Sequence, residues 1–430
     1  MFFDEKRERI PEDELQQLHL ELLNRTLVAC NNSPYYRKKF RELGLKPGIK
    51  TLEDIKEFPF TTKDDLRESY PIGMVATSLD NVVRMHASSG TTGKSTLVFH
   101  TMKDVENWAG LVARGLYAVG VRKTDVFQNM MSYGLFTGGL GLHYGAEKLG
   151  ALVLPVGSGN TQKQIEFLLD LKATVLHITP SYLLYLGHVI EEEKIPLSRF
   201  SFRIAIVGAE PHSESTRRKL EKMFRMKVFN CYGLSEMNGP GVAFECSHQS
   251  GLHLWEDHYF GEIINSDTGE VMPDGKEGEL VLTTLQREGM PMIRYRTKDI
   301  TKFIAGRCPC GRTHRRMVRI KGRTDDMFIV KGVNIFPSQI ETVLMEIPEV
   351  DKNYRIILDR KEGLDILTVE IEIKKEYFKG ELQQLRTVQE KITDMLKDVI
   401  LVTPVVELIE PGSLPPSTGK AQRVIDKRRI

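Results

Sequence analysis

Apolar positions follow two different periods along the chain. From about residue 11 to residue 70 they recur at spacings that mostly fit one helical face, through Leu15, Leu18, Leu20, Leu22, Leu23 and Leu27. Further along, short apolar runs alternate with amphipathic segments, and we expect strands at 152–156, 175–178, 204–207 and 227–229. We expect helices from Thr161, which has capping-box spacing, from Tyr182 to Glu193, and over Lys219 to Phe224. This alternation predicts an α/β domain whose parallel sheet is flanked by helices, with ligands near the carboxyl ends of its strands.

The pattern changes in the last third of the chain. Residues 250–320 are rich in β and turn formers, and a different unit begins near Gly322. Its apolar runs predict a strand at 328–330, a helix capped by Ser338, strands at 354–358 and 367–373, a helix at 385–398 and a strand at 405–408. That order favours a small ferredoxin-like α+β domain. We therefore predict a large domain over 1–322, with a β-rich portion at 246–320, and a small domain over 323–430.

Composition narrows the function classes. Lys and Arg number 60 against 58 Asp and Glu in 430 residues, and no charged block suggests a nucleic-acid partner. The charged start and the lack of any run of 18 apolar residues argue against a signal peptide and a membrane span, so we expect a cytoplasmic protein. Five cysteines, an odd number, argue against a disulfide framework.

A glycine- and hydroxyl-rich segment is the strongest chemical signal. It consists of Ser88, Ser89, Gly90, Thr91, Thr92, Gly93 and Lys94. Glycines let backbone N–H groups turn inward, and the hydroxyls and the lysine add donors and charge, which suits a polyphosphate. The spacing is not that of a P-loop, which would need glycine where Ser88 stands and a helix where Leu97–Thr101 reads as a strand. An ordinary surface turn is the alternative.

This segment resembles the phosphate-binding loop of the adenylate-forming superfamily of acyl- and aryl-CoA synthetases, peptide-synthetase adenylation domains and luciferases. Further segments of the chain resemble that superfamily in its order. In the segment Tyr232-Gly233-Leu234-Ser235-Glu236, the resemblance implies that Tyr232 stacks on adenine and that Glu236 holds Mg²⁺ against phosphate oxygens. The wall of the adenine pocket would be formed by Gly208, Ala209, Glu210 and Pro211, and Asp299 would bind the ribose hydroxyls.

The resemblance continues into the small domain, which it implies rotates about a hinge. Arg323 would reach the nucleotide, Asp325 would be the pivot, and Gly332 and Val333 would line the CoA tunnel. Lys420, in a Pro/Ser/Gly-rich segment, resembles the catalytic lysine that bridges the attacking carboxylate and the α-phosphate. A solvated tail lysine is the alternative for an isolated Gly-Lys pair.

Within the superfamily, segments 235–241, 255–258 and 332–340 resemble phenylacetate–CoA ligases. That family implies ATP, Mg²⁺ and CoA, an aryl-acid substrate, and a homodimer. The acyl pocket would lie at Tyr133, Phe136 and Gly138, although these aromatics could equally be core residues.

Two other functions stay open at this point. The first is an adenylating enzyme with a different acceptor, either a carrier-protein thiol or a cofactor hydroxyl as in the related coenzyme F390 synthetases. The second is a zinc-bearing binding module without catalysis, although the presence of Glu236, Asp299 and Lys420 argues against it.

The cysteines predict a metal site. Cys308 and Cys310 stand one residue apart in a turn, and Cys246, with one histidine, would complete a closed N/S set typical of structural zinc. His253 is favoured because its spacing lets the chain turn back on Cys246, and His248 is the runner-up. Three reduced cysteines without metal are the alternative, and Cys30 and Cys231 read as buried thiols.

Overall fold

The computed structural model describes residues 1–88, 95–210, 212–330, 333–361, 364–378, 382–414 and 423–428. The chain divides into two compact units. The first holds residues 1–177, 204–208 and 229–319, and the second holds 178–203, 209–228 and 320–430. The second unit thus contains two segments from before residue 322, and the predicted domain boundary at 322–323 stays a prediction.

Helices carry a large share of the first 225 residues and recur near the C-terminus. They are α1 (Glu5–Glu8), α2 (Glu12–Cys30), α3 (Pro34–Glu42), α4 (Lys63–Glu68), α5 (Met102–Ala118), α6 (Thr137–Leu149), α7 (Thr161–Asp170), α8 (Pro180–Glu192), α9 (Glu214–Phe224), α10 (Pro337–Glu346), α11 (Lys375–Phe378) and α12 (Leu382–Ile400). In α2, Leu15, Leu22, Leu23 and Leu27 are buried, as the helical spacing predicts. Helix α7 is capped by Asn160, whose side chain accepts from the Lys163 N–H, so Thr161 is its first residue and not its cap.

The strands fall into several sheets. They are β1 (Val82–Ala87), β2 (Leu97–Thr101), β3 (Val126–Asn129), β4 (Leu152–Leu154), β5 (Val175–Ile178), β6 (Ile204–Val207), β7 (Lys227–Leu234), β8 (Gly239–Glu245), β9 (Leu252–Leu254), β10 (Tyr259–Ile264), β11 (Gly278–Thr284), β12 (Tyr295–Thr301), β13 (Phe303–Ile304), β14 (Arg316–Met317), β15 (Gly322–Arg323), β16 (Phe328–Val330), β17 (Val333–Ile335), β18 (Val350–Lys361), β19 (Leu364–Ile373), β20 (Val405–Ile409) and β21 (Val424–Asp426).

The largest sheet has the order β13-β14-β9-β8-β7-β6-β5-β3-β4. Strand β3 pairs in parallel with both β4 and β5, and the residues of β5 and β6 are all buried. The pairs β7–β8, β8–β9, β9–β14 and β13–β14 are antiparallel. The α/β class with parallel strands is therefore confirmed, and the antiparallel part of this sheet was not predicted.

Helices α5 and α6 pack close to β8. A Cβ atom on Gly115 of α5 would lie 2.2 Å from the Phe244 ring of β8, so only glycine allows this approach. After β9 along the chain, β10, β11 and β12 form an antiparallel meander in a separate sheet.

In the second unit, residues after 320 form an α+β domain. Its four-stranded sheet has the order β20-β19-β18-β21, with β18 and β19 antiparallel, and with β19–β20 and β18–β21 parallel. Its core includes Ile340 and Leu344 of α10, Ile392 and Leu396 of α12, and the inward side chains of β18 and β19.

Three details of this domain differ from expectation. Strand β16 lies outside the four-stranded sheet, because it pairs with β17 in a two-stranded one. The fourth strand of the larger sheet is the short β21, which was not predicted. Helix α10 begins at Pro337 with Phe336 at its N-cap, so Ser338 is inside the helix.

Among the residues that the structure describes, no helix is long and apolar enough to cross a membrane.

Candidate active site and metal cluster

The two ends of the predicted phosphate loop lie together. The Ser88 N–H donates to the Thr96 carbonyl oxygen at 3.0 Å, and the Ser88 and Thr96 hydroxyls are in hydrogen-bond contact. Thr96 is buried, and its hydroxyl also donates to Glu236 Oε1 at 3.3 Å. Ser89, Gly90, Thr91, Thr92, Gly93 and Lys94 lie outside the described residues. The segment that carries the phosphate-binding signal is therefore joined at its base to Glu236.

Glu236 stands in a tight turn that several contacts hold in place. Strand β7 ends at Leu234, and Ser235–Met237 form one turn of 3₁₀-helix. Arg287 donates to the carbonyl oxygen of Glu236, and the Tyr259 hydroxyl donates to that of Met237 at 2.9 Å. These two contacts satisfy carbonyl groups that the end of a helical turn leaves open.

Two residues beside this turn are also positioned by packing. The Ser235 hydroxyl lies 3.3 Å from the Thr137 hydroxyl at the start of α6. A Cβ atom on Gly233 would lie 2.0 Å from the carbonyl oxygen of Gly239, so no other residue fits that position. The Glu236 side chain is only 6% exposed, and it presents carboxylate oxygens, the ligand type that Mg²⁺ prefers.

Tyr232 and Asp299, from separate segments, meet directly. The Tyr232 hydroxyl donates to Asp299 Oδ2 at 2.6 Å, and both side chains are buried. The Asp299 N–H donates to the Thr297 hydroxyl at 3.1 Å, which fixes the backbone that carries this carboxylate. The structure thus places the predicted adenine residue beside the predicted ribose residue, as one nucleoside would require.

The segment 208–211 divides between the two units. Gly208 follows β6 in the first unit, and Ala209 has a left-handed backbone with φ of 68°. Glu210, in the second unit, accepts a hydrogen bond from the Ser181 N–H at 2.6 Å, and burial raises its pKa. Pro211 lies outside the described residues.

The predicted hinge contains an ion pair. Arg323 donates from Nε and Nη2 to the two carboxylate oxygens of Asp325 at 2.8 and 2.9 Å. The Asp326 and Met327 N–H groups donate to the Arg323 carbonyl, which closes a turn around Asp325. Val333 is half-buried in β17, whereas Gly332 and Lys420 lie outside the described residues.

The predicted acyl pocket has one anchored and one exposed aromatic side chain. The Tyr133 hydroxyl accepts from Asn129 Nδ2 at 2.9 Å and lies 3.1 Å from His143 Nδ1, and burial raises the pKa of Tyr133 to about 12. Phe136 is 48% exposed at the N-cap of α6, with Gly138 in the first turn of that helix. Phe136 is therefore not a core side chain.

Sequence reasoning missed two cations close to Glu236. Lys63, the first residue of α4, lies 3.9 Å from Glu236 Oε1, and Arg287 is buried against the Glu236 backbone. No spacing pattern could have found either, because both are distant from Glu236 along the chain and fall in segments that carry no motif.

The predicted zinc ligands form a compact cluster. One ligand atom from each of Cys246, His253, Cys308 and Cys310 lies within 4.8 Å of the other three. Cys246 Sγ lies 3.7 Å from Cys308 Sγ, and Cys310 Sγ lies 3.4 Å from His253 Nε2. Tetrahedral zinc with ordinary bond lengths would put two sulfurs about 3.8 Å apart and a sulfur and a nitrogen about 3.5 Å apart.

The surroundings of this cluster favour metal binding. His253 Nδ1 lies 3.2 Å from the carbonyl oxygen of His314, an interaction that orients Nε2 toward the sulfurs. A hydrogen bond from Cys246 lowers the pKa of the Cys310 thiol, which favours the thiolate that binds metal. Cys30 and Cys231 are buried away from this group, as expected.

The turn at 308–314 also holds the N-terminal segment. Arg312 donates from Nε to Glu8 Oε2 at 2.7 Å, and both side chains are fully or nearly fully buried. His314 Nε2 lies 2.8 Å from the carbonyl oxygen of Arg7. Anything that orders the turn at 308–314 therefore also orders residues 7 and 8.

Comparison with known proteins identifies the class first. Residues 21–286 match the family model for AMP-binding enzymes, and residues 332–428 match the model for the AMP-binding enzyme C-terminal domain. A 2-hydroxyisobutyryl-CoA ligase in its postadenylation state has the same fold, with a TM-score of 0.94 at 28% identity over 99% of this chain and 92% of that one. The fold and the two family models therefore define an adenylate-forming enzyme.

Individual relatives narrow the class further. A phenylacetate–coenzyme A ligase of Aromatoleum evansii is 44% identical over 98% of this chain and 96% of its own length. Another, of Pseudomonas putida, is 45% identical over 97% of this chain and 95% of its own. The chain belongs to the phenylacetate–coenzyme A ligase family, whose members are AMP-forming acid–thiol ligases.

Proposed function

We propose that this chain activates phenylacetate, or a close aryl acid, with ATP and transfers the acyl group to CoA. The observation that carries the proposal is the similarity to phenylacetate–CoA ligases over nearly the whole chain. The hydrogen bond between the Tyr232 hydroxyl and the Asp299 carboxylate supports it. A non-CoA acceptor is not favoured, since those relatives are named as coenzyme A ligases.

The proposed reaction has two steps. A carboxylate oxygen of the acid attacks the α-phosphorus of ATP, the bond to the β-phosphate breaks, and pyrophosphate leaves. The CoA sulfur then attacks the acyl carbon, and AMP leaves with the bonding electrons. In this scheme Asp299 accepts from the ribose hydroxyls, Tyr232 contacts the adenosine, and Lys420 stabilises charge at the α-phosphate. Glu236 would hold Mg²⁺, which neutralises phosphate charge when it is bound.

A panel of aryl acids tests this proposal. With ATP, Mg²⁺ and CoA, we expect phenylacetate to give the highest kcat/KM for AMP release, and we expect no thioester without CoA. Acid-dependent pyrophosphate exchange without CoA-dependent AMP release would instead favour another acceptor. Absence of exchange with every acid would contradict an enzymatic role.

A structural zinc ion is the second part of the proposal. It would be bound by Cys246, His253, Cys308 and Cys310, and the support is the spacing of their sulfur and nitrogen atoms. Four protein ligands leave no open position for water, so the ion would stabilise the fold and take no part in the reaction. It would join β8, β9 and the turn at 308–310.

Removing two ligands should lower stability more than activity. For Cys308→Ser combined with Cys310→Ser, we expect zinc content to fall from about one ion per chain to near zero. We expect Tm to fall by several degrees, because the free energy of zinc binding contributes to folding and each kcal/mol lost shifts Tm by roughly 2–4 °C even in domains of 150–250 residues.

Zinc analysis and calorimetry would measure these changes, with Cys231→Ala as a matched control that removes a buried thiol outside the cluster. That control should keep its zinc. Protein purified without chelator that contains no zinc, or a double variant with full zinc occupancy, would contradict the proposal.

A homodimer and a cytoplasmic location rest on the resemblance and the composition, and both stay predictions. Light scattering of the purified protein would test the dimer, which predicts a mass of twice 49.0 kDa.

A further inference from the structure

A buried carboxylate on α10, that of Glu341, contacts two other elements of the second unit. Its Oε1 atom accepts from the Thr216 hydroxyl of α9 at 2.9 Å, and its Oε2 atom accepts from the Tyr354 hydroxyl of β18 at 3.3 Å. All three residues are buried, and burial raises the pKa of Tyr354, so its hydroxyl keeps the proton that it donates. A buried carboxylate is costly unless it is hydrogen-bonded. The two hydroxyls therefore hold α10 between α9 and β18.

Thr216 is itself fixed at the start of α9. Ser213 is the N-cap of this helix, and its hydroxyl accepts from the Thr216 N–H at 3.0 Å. The two hydroxyls lie 3.0 Å apart, so the Thr216 oxygen can accept from Ser213 while its proton is donated to Glu341. The Ser215 hydroxyl donates to the carbonyl oxygen of Thr342 at 3.3 Å. The first turn of α9 is thus joined to α10 by two side-chain contacts.

The same group of contacts reaches the chain just after Lys420. The Arg423 guanidinium lies 4.1 Å from the centroid of the Tyr354 ring, and the Arg423 carbonyl oxygen accepts from the Ile356 N–H at 2.7 Å. Strand β21 then runs along β18 in parallel. Lys420 precedes Arg423 by three residues along the chain. The end of the segment that carries Lys420 is therefore tied, through β18, to Glu341.

We infer that Glu341 is a positioning residue for Lys420, because it joins β18, and with it the end of the Lys420 segment, to α9. This inference rests on the proposed function, since it needs Lys420 at the α-phosphate of ATP. Thr216 precedes the predicted domain boundary at 322–323 and Glu341 follows it, so a rotation about Asp325 would separate the two. The hydrogen bond between them therefore serves adenylate formation and not thioester formation.

The half-reactions of a Thr216→Val variant test this role. Valine has nearly the shape of threonine but lacks the hydroxyl, so the bond from α9 to Glu341 is lost. We expect pyrophosphate exchange to slow about tenfold, the factor by which a lost hydrogen bond to a charged group typically shifts an equilibrium. Thioester formation from preformed adenylate and CoA should keep its rate. Thr216→Ser, which keeps a hydroxyl, should restore the exchange rate.

A matched control and a double variant complete the test. Thr393→Val removes a threonine hydroxyl that donates to the Gln389 carbonyl oxygen within α12, and it should change neither half-reaction. Adding Thr216→Val to Lys420→Ala should cause no further loss of pyrophosphate exchange, since a positioning residue acts only through the group that it positions.

Three results would overturn the inference. Equal loss of both half-reactions in Thr216→Val would mean that the contact only supports the fold, and an unchanged exchange rate would mean that it does not position Lys420. A further loss in the Lys420→Ala background would mean that it acts through another group. The proposed function is tested separately, because it stands if the unmodified protein catalyses acid-dependent pyrophosphate exchange and CoA-dependent AMP release.

Discussion

Lys420→Ala is expected to abolish adenylate formation from acid and ATP while leaving thioester formation from a preformed acyl-adenylate largely intact. The charge of the ammonium group would be lost at the α-phosphate, where negative charge builds in the transition state. Removing one such donor typically costs about 10²–10³-fold in rate. The second half-reaction should survive because the family resemblance implies that this lysine leaves the site before CoA attacks.

Two assays separate the half-reactions of this variant. Pyrophosphate exchange reports the first, and AMP release from synthetic phenylacetyl-adenylate and CoA reports the second. Lys427→Ala, an exposed lysine in the same C-terminal segment, should change neither rate. A folded Lys420→Ala protein that loses both half-reactions equally would show that the lysine has been assigned to the wrong role.

The fold could be predicted where a local pattern determines it. Strands β5 and β6 match the expected bounds of 175–178 and 204–207, because each is a continuous buried run between polar residues. Strand β7 runs to Leu234, beyond the expected end at residue 229, because Cys231 and Tyr232 pair with Phe244 and Ala243 of β8. Pairing with the next strand along the chain leaves no trace in the period of β7 itself.

Short strands were missed for the same reason. Strand β21 has three residues in a charged segment, and it forms because Ile356 and its neighbours in β18 offer it a parallel edge. The pairing of β16 with β17 was also missed, because a hairpin of two three-residue strands has no period long enough to recognise.

The site residues divide along a similar line. Motifs single out Tyr232, Asp299 and Glu236, whose roles stay predictions, and the structure adds that the side chains of Tyr232 and Asp299 are hydrogen-bonded to each other. Spacing alone left His248 and His253 as competing ligands. The structure favours His253. Its strand β9 pairs on one side with β8, which ends next to Cys246, and on the other side with β14, which follows the turn at 308–310.

Asp325→Pro is expected to produce the opposite kinetic pattern to Lys420→Ala. Pyrophosphate exchange should persist, whereas thioester formation from preformed adenylate and CoA should fall by about a hundredfold. The proline ring fixes φ near −65°. A backbone conformation with a different φ would then cost about 3 kcal/mol, which corresponds to a rate reduction of about a hundredfold. If Asp325 is the pivot of a domain rotation, only the step that follows the rotation is slowed.

Asp325→Ala is the matched control for this variant, because it also removes the ion pair with Arg323 but leaves φ free. That pair is partly exposed, at 29% for Arg323 and 54% for Asp325, so its loss should cost at most about 1 kcal/mol. We expect Asp325→Ala to keep both half-reactions within about fivefold. If Asp325→Pro and Asp325→Ala lowered thioester formation equally, the Arg323 contact would be the important feature and not backbone rotation. If Asp325→Pro lowered both half-reactions equally, Asp325 would not be the pivot.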